Sequence, residues 1–418
     1  MNAMTDTDVD EGATDHSSAT VPVWRKVLVR CGLVYLFSRL CVVLGAAVVA
    51  AELTADENLR AAELPWARWA DPHYVERPVA YTAVRPVLDV LTSWDGIWYL
   101  RLVRMGYPRQ VTDDVTYFVD DARAAFFPLY PGLVRIVDRV LPGGDTFAAL
   151  FTNFVLGAVA VLLVGMLARE IFDVRVAERT MILMAVFPGS FVLSFAYTEA
   201  LLIVLAAGCL LLLQRRQWWW AGVLAALGGA TRPNGIALAI ACAVAALLAV
   251  RERREWTALG AALLAPIGFI GFQLWLGWHA DEPGVWFRVQ REAWAEGTSW
   301  GWTAVRRTVD AFIDPGGSPT DLITAVSVFT LGFLVWTLAR HRLPIPQVAY
   351  AATVIALMLI PSTVTARPRF IYTAFPLLIA AAAWFERRGR NWWPHAYAAC
   401  TAGLVGLTAL YGVLGAIP

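Results

Sequence analysis

The sequence predicts an all-α protein that crosses a membrane many times. Of its 418 residues, 58% are hydrophobic and only 16% are charged, a composition far from that of ordinary soluble domains. The apolar residues form long stretches, and many of these approach the roughly 20 residues that a membrane-spanning helix requires. Because the net charge is only +1, no overall positive field attracts nucleic acid. We therefore expect about 11 spans and no nucleic-acid partner.

The apolar stretches serve as candidate spans, and the membrane lipid is their expected solvent. In chain order they cover residues 27–50, 146–168, 178–196, 198–213, 217–231, 235–250, 257–278, 320–338, 346–361, 370–385 and 396–416. Residues 1–24 are polar and acidic, which predicts a disordered cytoplasmic tail, and residues 25–418 are expected to form a single transmembrane domain. All five cysteines lie in apolar stretches, so we interpret them as small hydrophobic residues.

The positions of the arginines predict the orientation of the chain. Segment 124–141 is apolar but contains two prolines and three charged residues, and we interpret it as re-entrant or interfacial rather than spanning. With a cytoplasmic N-terminus, every inside loop is then rich in arginine, as the positive-inside rule requires. If 124–141 crossed the membrane, each later loop would violate that rule. The sequence thus predicts a multi-pass plasma-membrane protein with long loops 51–123 and 279–319 on the non-cytoplasmic side.

The first outer loop leads into the sequence Ser93-Trp94-Asp95-Gly96. Ser93 is expected to cap a short helix, with Asp95 in its first turn and with Trp94 and Trp98 on one face. The positive end of the helix dipole favours an ionised Asp95, which could then accept a proton. Alternatively, Asp95 is a plain capping residue on an interfacial helix that the tryptophans anchor.

Three arginines lie beside prolines near the outer ends of predicted spans, namely Arg232, Arg367 and Arg369. Proline interrupts a helix and frees backbone N–H groups, and the forked guanidinium group suits phosphate oxygens. Two such turns facing one another would hold a lipid phosphate at the depth of the headgroups. The alternative is ordinary snorkelling of arginine side chains towards those headgroups.

Other charged or aromatic residues occupy unusual places. Glu199 begins a span and is either a first-turn acid that the helix dipole stabilises or a hydrogen-bonding group in a cavity. Arg39 lies in the middle of the first span, where we expect a structural ion pair. The pattern of residues 286–302 predicts an amphipathic interfacial helix. Its tryptophans either anchor the helix in the headgroups or stack on sugar rings. His279 and Asp281 lack a third ligand nearby, so the sequence does not support a metal site.

Distinctive motifs occur in a fixed order along the chain. They are W-D-G-I-W-Y-L-R-L-V-R-M-G-Y (94–107), F-F-P-L-Y-P-G-L-V-R (126–135), F-P-G-S-F-V-L-S-F-A-Y-T-E-A-L (187–201), W-W-W-A-G-V-L-A-A-L-G-G-A-T-R-P-N-G (218–235) and A-R-P-R-F (366–370). In this ordered combination they resemble the bacterial PIG-V-like mannosyltransferases, over most of residues 90–385. That family belongs to the GT-C class of membrane glycosyltransferases, which take a sugar from a polyprenyl or dolichyl phosphate carrier and deliver it on the outer or lumenal face.

The resemblance implies a GT-C type fold, with re-entrant or interfacial helices on the non-cytoplasmic side, and roles for the matching residues. It implies that Asp95 is the catalytic or acceptor-orienting carboxylate and that the carrier phosphate contacts arginines, for which Arg232, Arg367 and Arg369 are the candidates. We further predict substrate binding by Glu199, Tyr197, Trp94, Tyr130 and Asn234. No cofactor is expected, because GT-C enzymes with lipid-monophosphate donors often work without a divalent ion, as the resemblance implies. A divalent metal ion is the open alternative, which the sequence does not support.

An outward-facing carboxylate, arginines at headgroup depth and an aromatic loop also suit sugar transfer from a lipid phosphate on chemical grounds. We therefore expect an inverting glycosyltransferase of the cell envelope, with polyprenyl-phosphate mannose as the expected donor and a glycolipid, polysaccharide or protein as acceptor. One alternative is a transporter or flippase of lipid-linked sugars, which would place ionisable groups near mid-membrane. Another is a non-catalytic envelope-assembly subunit, in which Asp95 would be dispensable.

Overall fold

A computed structural model describes residues 20–63, 86–363 and 365–414, and these are mostly helical. The α-helices before the middle of the chain are α1 (Thr20–Glu63), α2 (86–91), α3 (Asp95–Met105), α4 (Leu129–Val140), α5 (Gly144–Ile171), α6 (Val174–Val186), α7 (Glu199–Gln214) and α8 (Trp218–Gly229). Those that follow are α9 (Ile236–Arg253), α10 (Leu259–Leu264), α11 (Ile267–His279), α12 (Val285–Ala293), α13 (Trp302–Ile313), α14 (Pro319–Arg340), α15 (Ile345–Leu359), α16 (Pro368–Thr373), α17 (Pro376–Arg387) and α18 (Trp393–Gly412). The all-α prediction is confirmed.

Several of these helical runs are long and apolar enough to cross a membrane, judged by length and composition. They are Val23–Leu53, Gly144–Ile171, Pro233–Arg253, Trp256–His279 and Pro319–Arg340. Two further helices, α7 and α15, are apolar but shorter. These runs confirm a membrane protein with many spans, whereas the figure of about 11 stays a prediction.

Helix α1 extends beyond the predicted span 27–50 at both ends. It begins at Thr20, within the predicted tail, and ends at Glu63, within the predicted outer loop. Residues 1–19 of that tail and residues 64–85 of that loop lie outside the described part of the chain.

Arg39, in the middle of α1, bonds to backbone carbonyls rather than to a carboxylate. Its guanidinium donates to the carbonyl oxygens of Ala185 at 2.9 Å and Ser190 at 2.6 Å, and to the hydroxyl of Ser194 at 3.1 Å. The expected ion pair is therefore wrong within the described residues. The carbonyls at the end of a helix lack intrahelical partners, so Arg39 satisfies the end of α6 and fixes the turn that follows it.

Two predicted spans, 178–196 and 370–385, are interrupted by proline. Helix α6 ends at Val186, and a short 3₁₀ helix, Pro188–Leu193, follows it. Likewise α16 ends before Pro376 begins α17. Because proline lacks an N–H group and its ring clashes with the preceding turn, a regular helix cannot continue through these points. The interruptions supply the bent backbone on which the candidate site is built.

Segment 124–141 contains helix α4, which is only 12 residues long. A helix of that length measures about 18 Å, well short of the roughly 30 Å of a bilayer's hydrocarbon core. Tyr130 and Val134 are buried, whereas Ile136 and Val140 on another face are exposed. An amphipathic helix this short suits the predicted re-entrant or interfacial segment.

The buried core consists of two hydrophobic clusters. The larger one is built mainly from α1, α5, α6, α7, α9 and α17. The smaller one lies around α3, α4 and α12 and contains aromatic residues such as Tyr99, Phe127 and Trp286. Trp94 packs against the larger cluster, while Trp98 belongs to the smaller one. Asp95 therefore lies where the two clusters meet.

Candidate active site

Asp95 is the first residue of α3, but the predicted cap by Ser93 is wrong. The Ser93 hydroxyl donates to the carbonyl of Val90 at 2.8 Å, and no side chain caps the helix. Trp94 takes the capping position with φ 58° and ψ −120°, a left-handed conformation that is unusual for a residue with a side chain. This sharp turn between α2 and α3 directs the Asp95 carboxylate towards Arg369.

The indole of Trp94 bonds to α18 and does not line the cavity beside Asp95. Its N–H donates to the carbonyl oxygen of Tyr411, near the end of α18, at 3.0 Å. The ring packs on the larger cluster and is not part of the cavity wall described below. The structure thus places Trp94 where it fixes the start of α3.

Four charged side chains of alternating sign form a continuous chain. Arg369 donates to Asp95 Oδ2 at 2.7 Å, and the same nitrogen lies 3.9 Å from Glu199 Oε1. Arg232 makes a close ion pair with that same oxygen of Glu199. Two carboxylates and two guanidinium groups therefore neutralise one another, in the order Asp95, Arg369, Glu199, Arg232. We call this set the charge chain.

Burial increases from one end of the charge chain towards its centre. The side chain of Asp95 is 25% exposed, that of Arg369 is 8% exposed, and that of Glu199 only 1% exposed. Removing a charge from water costs several kcal/mol unless an opposite charge compensates for it, so each inner residue depends on its neighbours. Asp95 is the carboxylate that an incoming molecule can reach.

The pKa values of the arginines differ according to their neighbours. Burial opposes the charge of Arg232 and Arg369, but the nearby carboxylates outweigh it, and the pKa of each guanidinium is raised above its ordinary value. Arg367 is also buried, and its guanidinium donates to the carbonyl of Thr363 at 3.3 Å. Burial, and then the positive charge of Arg369, lower the pKa of Arg367 to about 10. Arg367 lies beside the charge chain and outside the cavity wall.

Aromatic rings support the guanidinium groups. The central carbon of Arg369 lies 4.6 Å from the ring centre of Phe370 and 5.6 Å from that of Tyr197, and Arg232 lies 5.7 Å from Phe370. A cation over a ring face is attracted by the ring quadrupole. Tyr197 is fully buried, so its contact with the site is through Arg369.

Tyr99 is a site residue that the sequence reasoning missed. It lines the cavity, and its hydroxyl lies 3.2 Å from the hydroxyl of Thr198, the residue before Glu199. The predicted residue Tyr130 is fully buried and packs edge-to-face on Tyr99, with ring centres 5.2 Å apart. Tyr99 could have been predicted from its spacing. It lies four residues after Asp95, and residues i and i+4 share a helix face.

A cavity of about 470 Å³ opens beside the charge chain. One wall carries four predicted site residues, Asp95, Arg232, Asn234 and Arg369. Aromatic side chains surround them, namely Phe126, Phe127, Trp286, Phe287, Trp294 and Phe370. A partly exposed carboxylate beside cations, in a space with mostly apolar walls, is an arrangement in which charge interactions are stronger than in open water.

The predicted interfacial helix over 286–302 is interrupted. Helix α12 ends at Ala293, and the backbone of Ser299 and Gly301 then donates to the carbonyls of Ile360 and Leu359, both at 2.7 Å. The Glu296 carboxylate accepts hydrogen bonds from the next residues of that segment, as described below. The segment that carries α12 is thereby hydrogen-bonded to the one that leads to Arg369.

Comparison with known proteins supports the resemblance. Residues 127–278 match the family model described as dolichyl-phosphate-mannose-protein mannosyltransferase. This stretch is about a third of the chain and includes Glu199, Arg232 and Asn234 but not Asp95 or Arg369. The predicted resemblance to GT-C membrane glycosyltransferases is confirmed by this match. No curated protein matches the chain.

Among solved structures, the chain is similar to an oligosaccharyltransferase of Archaeoglobus fulgidus in its apo form. The sequence identity is 16% and the TM-score is 0.41, over 90% of this chain and 55% of that one. It is also similar to the A. fulgidus oligosaccharyltransferase AglB in complex with an inhibitory peptide and a dolichol-phosphate, at 13% identity and a TM-score of 0.41 over 77% of this chain and 52% of that one. This chain thus spans about half the length of those proteins.

Proposed function

We propose that this protein is an inverting glycosyltransferase, with Asp95 as its general base and a polyprenyl-phosphate sugar as its donor. The observation that carries the proposal is the position of Asp95, a partly exposed carboxylate on a cavity wall whose other charged groups are the arginines of the charge chain. The family-model match over residues 127–278 supports a lipid-phosphate-dependent glycosyltransferase.

In the proposed reaction, Asp95 accepts the proton of an acceptor hydroxyl. The acceptor oxygen forms a bond to the anomeric carbon of the donor sugar as the bond from that carbon to the phosphate oxygen breaks. The polyprenyl phosphate departs with the bonding electron pair, and guanidinium groups stabilise its growing negative charge. One displacement inverts the anomeric centre, so a β-linked donor yields an α-linked product. The cations of the protein supply the positive charge, and the proposal needs no metal ion.

We place the polyprenyl chain of the donor in an apolar groove of about 420 Å³. Its walls come from the candidate span α14, from α18, and from Pro188 and Pro368, with almost entirely apolar side chains. Such a groove suits an isoprenoid chain, because burying apolar surface is favourable. Pro368 lies between Arg367 and Arg369 in the sequence, so a lipid lying along it would bring its phosphate towards the charge chain.

Mannose is the proposed sugar, in keeping with the family description. The proposed acceptor is a glycolipid, polysaccharide or protein of the cell envelope. A location in the plasma membrane, with a cytoplasmic N-terminus and a non-cytoplasmic site, belongs to the same proposal. It is supported by the arginine-rich loops that this orientation leaves inside.

The test is sugar transfer from radiolabelled polyprenyl-phosphate mannose into envelope acceptors, in membranes that lack the native protein and are supplied with each variant. Asp95→Asn keeps the size of the side chain and an oxygen for Arg369, but loses the proton-accepting charge. We expect it to lower the rate about a hundredfold or more. Asp89→Asn, a change at an exposed aspartate on α2, is the matched control.

Undiminished transfer by Asp95→Asn would remove Asp95 from the mechanism. If the wild-type protein moved the labelled donor across the membrane and formed no product, the flippase alternative would replace this proposal. Transfer that requires the protein but is undiminished in Asp95→Asn would favour the assembly-subunit alternative.

A further inference from the structure

Most charged groups on the cavity wall already have partners. Arg232 and Arg369 are paired with carboxylates of the charge chain. Glu296 accepts hydrogen bonds from the backbone N–H groups of Ser362 and Thr363, at 3.1 Å and 3.2 Å. These groups satisfy one another, so an arriving anion can gain the full attraction of Arg232 or Arg369 only by displacing a carboxylate.

Arg291 is different. It lines the cavity from α12 and is exposed, and its side chain makes no hydrogen bond, ion pair or ring contact with any residue in the described ranges. Arg288 lies one turn earlier, and its guanidinium has several partners. It bonds Glu282 at 2.7 Å and Glu292 at 3.0 Å, and it donates to the carbonyl of Thr112 at 3.0 Å. Arg288 therefore anchors the helix, while Arg291 leaves its guanidinium available.

The face of α12 that lines the cavity combines this cation with uncharged binding groups. It carries Trp286, Phe287, Gln290 and Arg291, and Trp294 follows directly after the helix end; positions i, i+1, i+4 and i+5 share one side of a helix. Gln290 adds an amide donor next to the guanidinium, and the aromatic rings limit the access of water. Attraction between charges is stronger where the local dielectric constant is lower.

We propose that Arg291 binds a phosphate group carried by a lipid substrate. The inference rests on the proposed function and adds a residue to it that neither the motifs nor the family-model match singles out. The planar guanidinium fork matches two phosphate oxygens at once, which a single ammonium group does not. The phosphate belongs either to the polyprenyl-phosphate donor or to an anionic acceptor lipid, and both present the same chemistry to Arg291.

The experiment measures lipid binding to the full-length protein in nanodiscs by native mass spectrometry. In one arm polyprenyl phosphate competes with polyprenol, and in the other phosphatidylglycerol competes with diacylglycerol, so each pair differs by a phosphate-bearing group. The variants are Arg291→Gln, Arg291→Lys and Arg306→Gln. Arg306 is an exposed arginine on α13 that lies outside this cavity, and it provides the control for loss of one surface charge.

We expect Arg291→Gln to weaken binding of the phosphate-bearing lipid about tenfold, or about 1.4 kcal/mol, and to leave the uncharged lipid unchanged. Arg291→Lys should recover part of the loss, and Arg306→Gln should behave as wild type. A loss confined to the polyprenyl-phosphate arm assigns the donor, and one confined to the phosphatidylglycerol arm assigns an acceptor headgroup.

Equal binding by Arg291→Gln and wild type in both arms would overturn this inference and leave the glycosyltransferase proposal intact. If the wild-type protein preferred neither phosphate-bearing lipid over its uncharged counterpart, both proposals would fail. Because Arg291 is exposed and makes no contact that folding needs, an unchanged melting temperature should accompany each of these results.

Discussion

Arg369 donates a hydrogen bond to the Asp95 carboxylate at 2.7 Å, although 274 residues separate the two in sequence. The same guanidinium nitrogen lies 3.9 Å from Glu199, which comes from the middle of the chain. The charge chain is thus assembled from four distant parts, the starts of α3, α7 and α16 and the turn before α9 that carries Arg232. Each start follows a turn or an interrupted helix, so the site depends on the backbone bends as much as on the charged side chains.

Glu199→Gln should destabilise the protein strongly. The change leaves Arg232 buried without its carboxylate partner, and breaking a buried pair in this way costs about 3–5 kcal/mol. Thermal unfolding in detergent checks this. The double variant Glu199→Gln, Arg232→Gln should regain part of the loss, because it contains no unpaired charge. Glu292→Gln, at an exposed pair with Arg288, is the control, and an equal effect of both single changes would contradict the prediction.

Arg367→Gln should not lower the stability of the protein. Burial and Arg369 lower the pKa of Arg367 to about 10, which means that the folded protein disfavours its charge. Between about pH 10 and the ordinary, higher pKa of arginine, the folded state binds fewer protons than the unfolded state, so this residue's contribution to stability rises with pH. That rise should be absent in Arg367→Gln. A clear fall in melting temperature at pH 7 would count against the prediction.

Trp94→Phe should lower kcat several-fold with little change in KM for the donor. The variant keeps a ring but loses the indole N–H that bonds the Tyr411 carbonyl, a contact worth about 0.5–1.5 kcal/mol. Loosening it lets the strained turn before Asp95 relax and moves this carboxylate, the proposed proton acceptor. Kinetics at varied donor concentration test this, with Trp256→Phe, a change at an exposed indole, as control. Loss of binding alone would instead support the original prediction that Trp94 contacts substrate.

Gly189→Ala should reduce both stability and activity. A Cβ atom at this position would lie 2.2 Å from the carbonyl oxygen of Pro368, so α16, which carries Arg369, must shift. Overpacking of this kind typically costs about 1–3 kcal/mol. Gly132→Ala on α4 is the matched control, because a Cβ atom there meets nothing within 4 Å. Melting temperature and transfer rate are measured together, and equal behaviour of the two variants would argue against a close approach at Gly189.

The sequence located much of the site. Asp95, Arg232, Asn234 and Arg369 line one cavity, as expected from motifs that all lie at the ends of apolar segments. Helix ends that lie on one side of a bundle meet there, so residues at those ends come together even when they are far apart in sequence. Their roles in transfer stay predictions.

Side-chain direction could not be predicted in the same way. Trp94 and Asp95 are adjacent, and only the unusual φ of Trp94 decides which of them faces the cavity. Tyr197 and Tyr130 are fully buried. Yet the motifs that contain them mix polar and apolar residues in the same way as the motifs that contain Asp95 and Arg232. A binding role for Arg291 could not be predicted for a different reason. Anchoring in headgroups and substrate binding require the same amphipathic pattern, so the sequence does not distinguish them.

The hydrogen bond from Arg369 to Asp95 has a consequence for the order of events in catalysis. While the guanidinium holds the carboxylate, Oδ2 is bonded to a cation and Oδ1 is the other oxygen that can accept a proton. In the proposed reaction, a donor phosphate that engages Arg369 competes for the same N–H group and frees Oδ2, which makes Asp95 a stronger base. The proposed enzyme would then be least active before its donor arrives, with ordered kinetics in which donor binds first and the spent polyprenyl phosphate inhibits competitively against it.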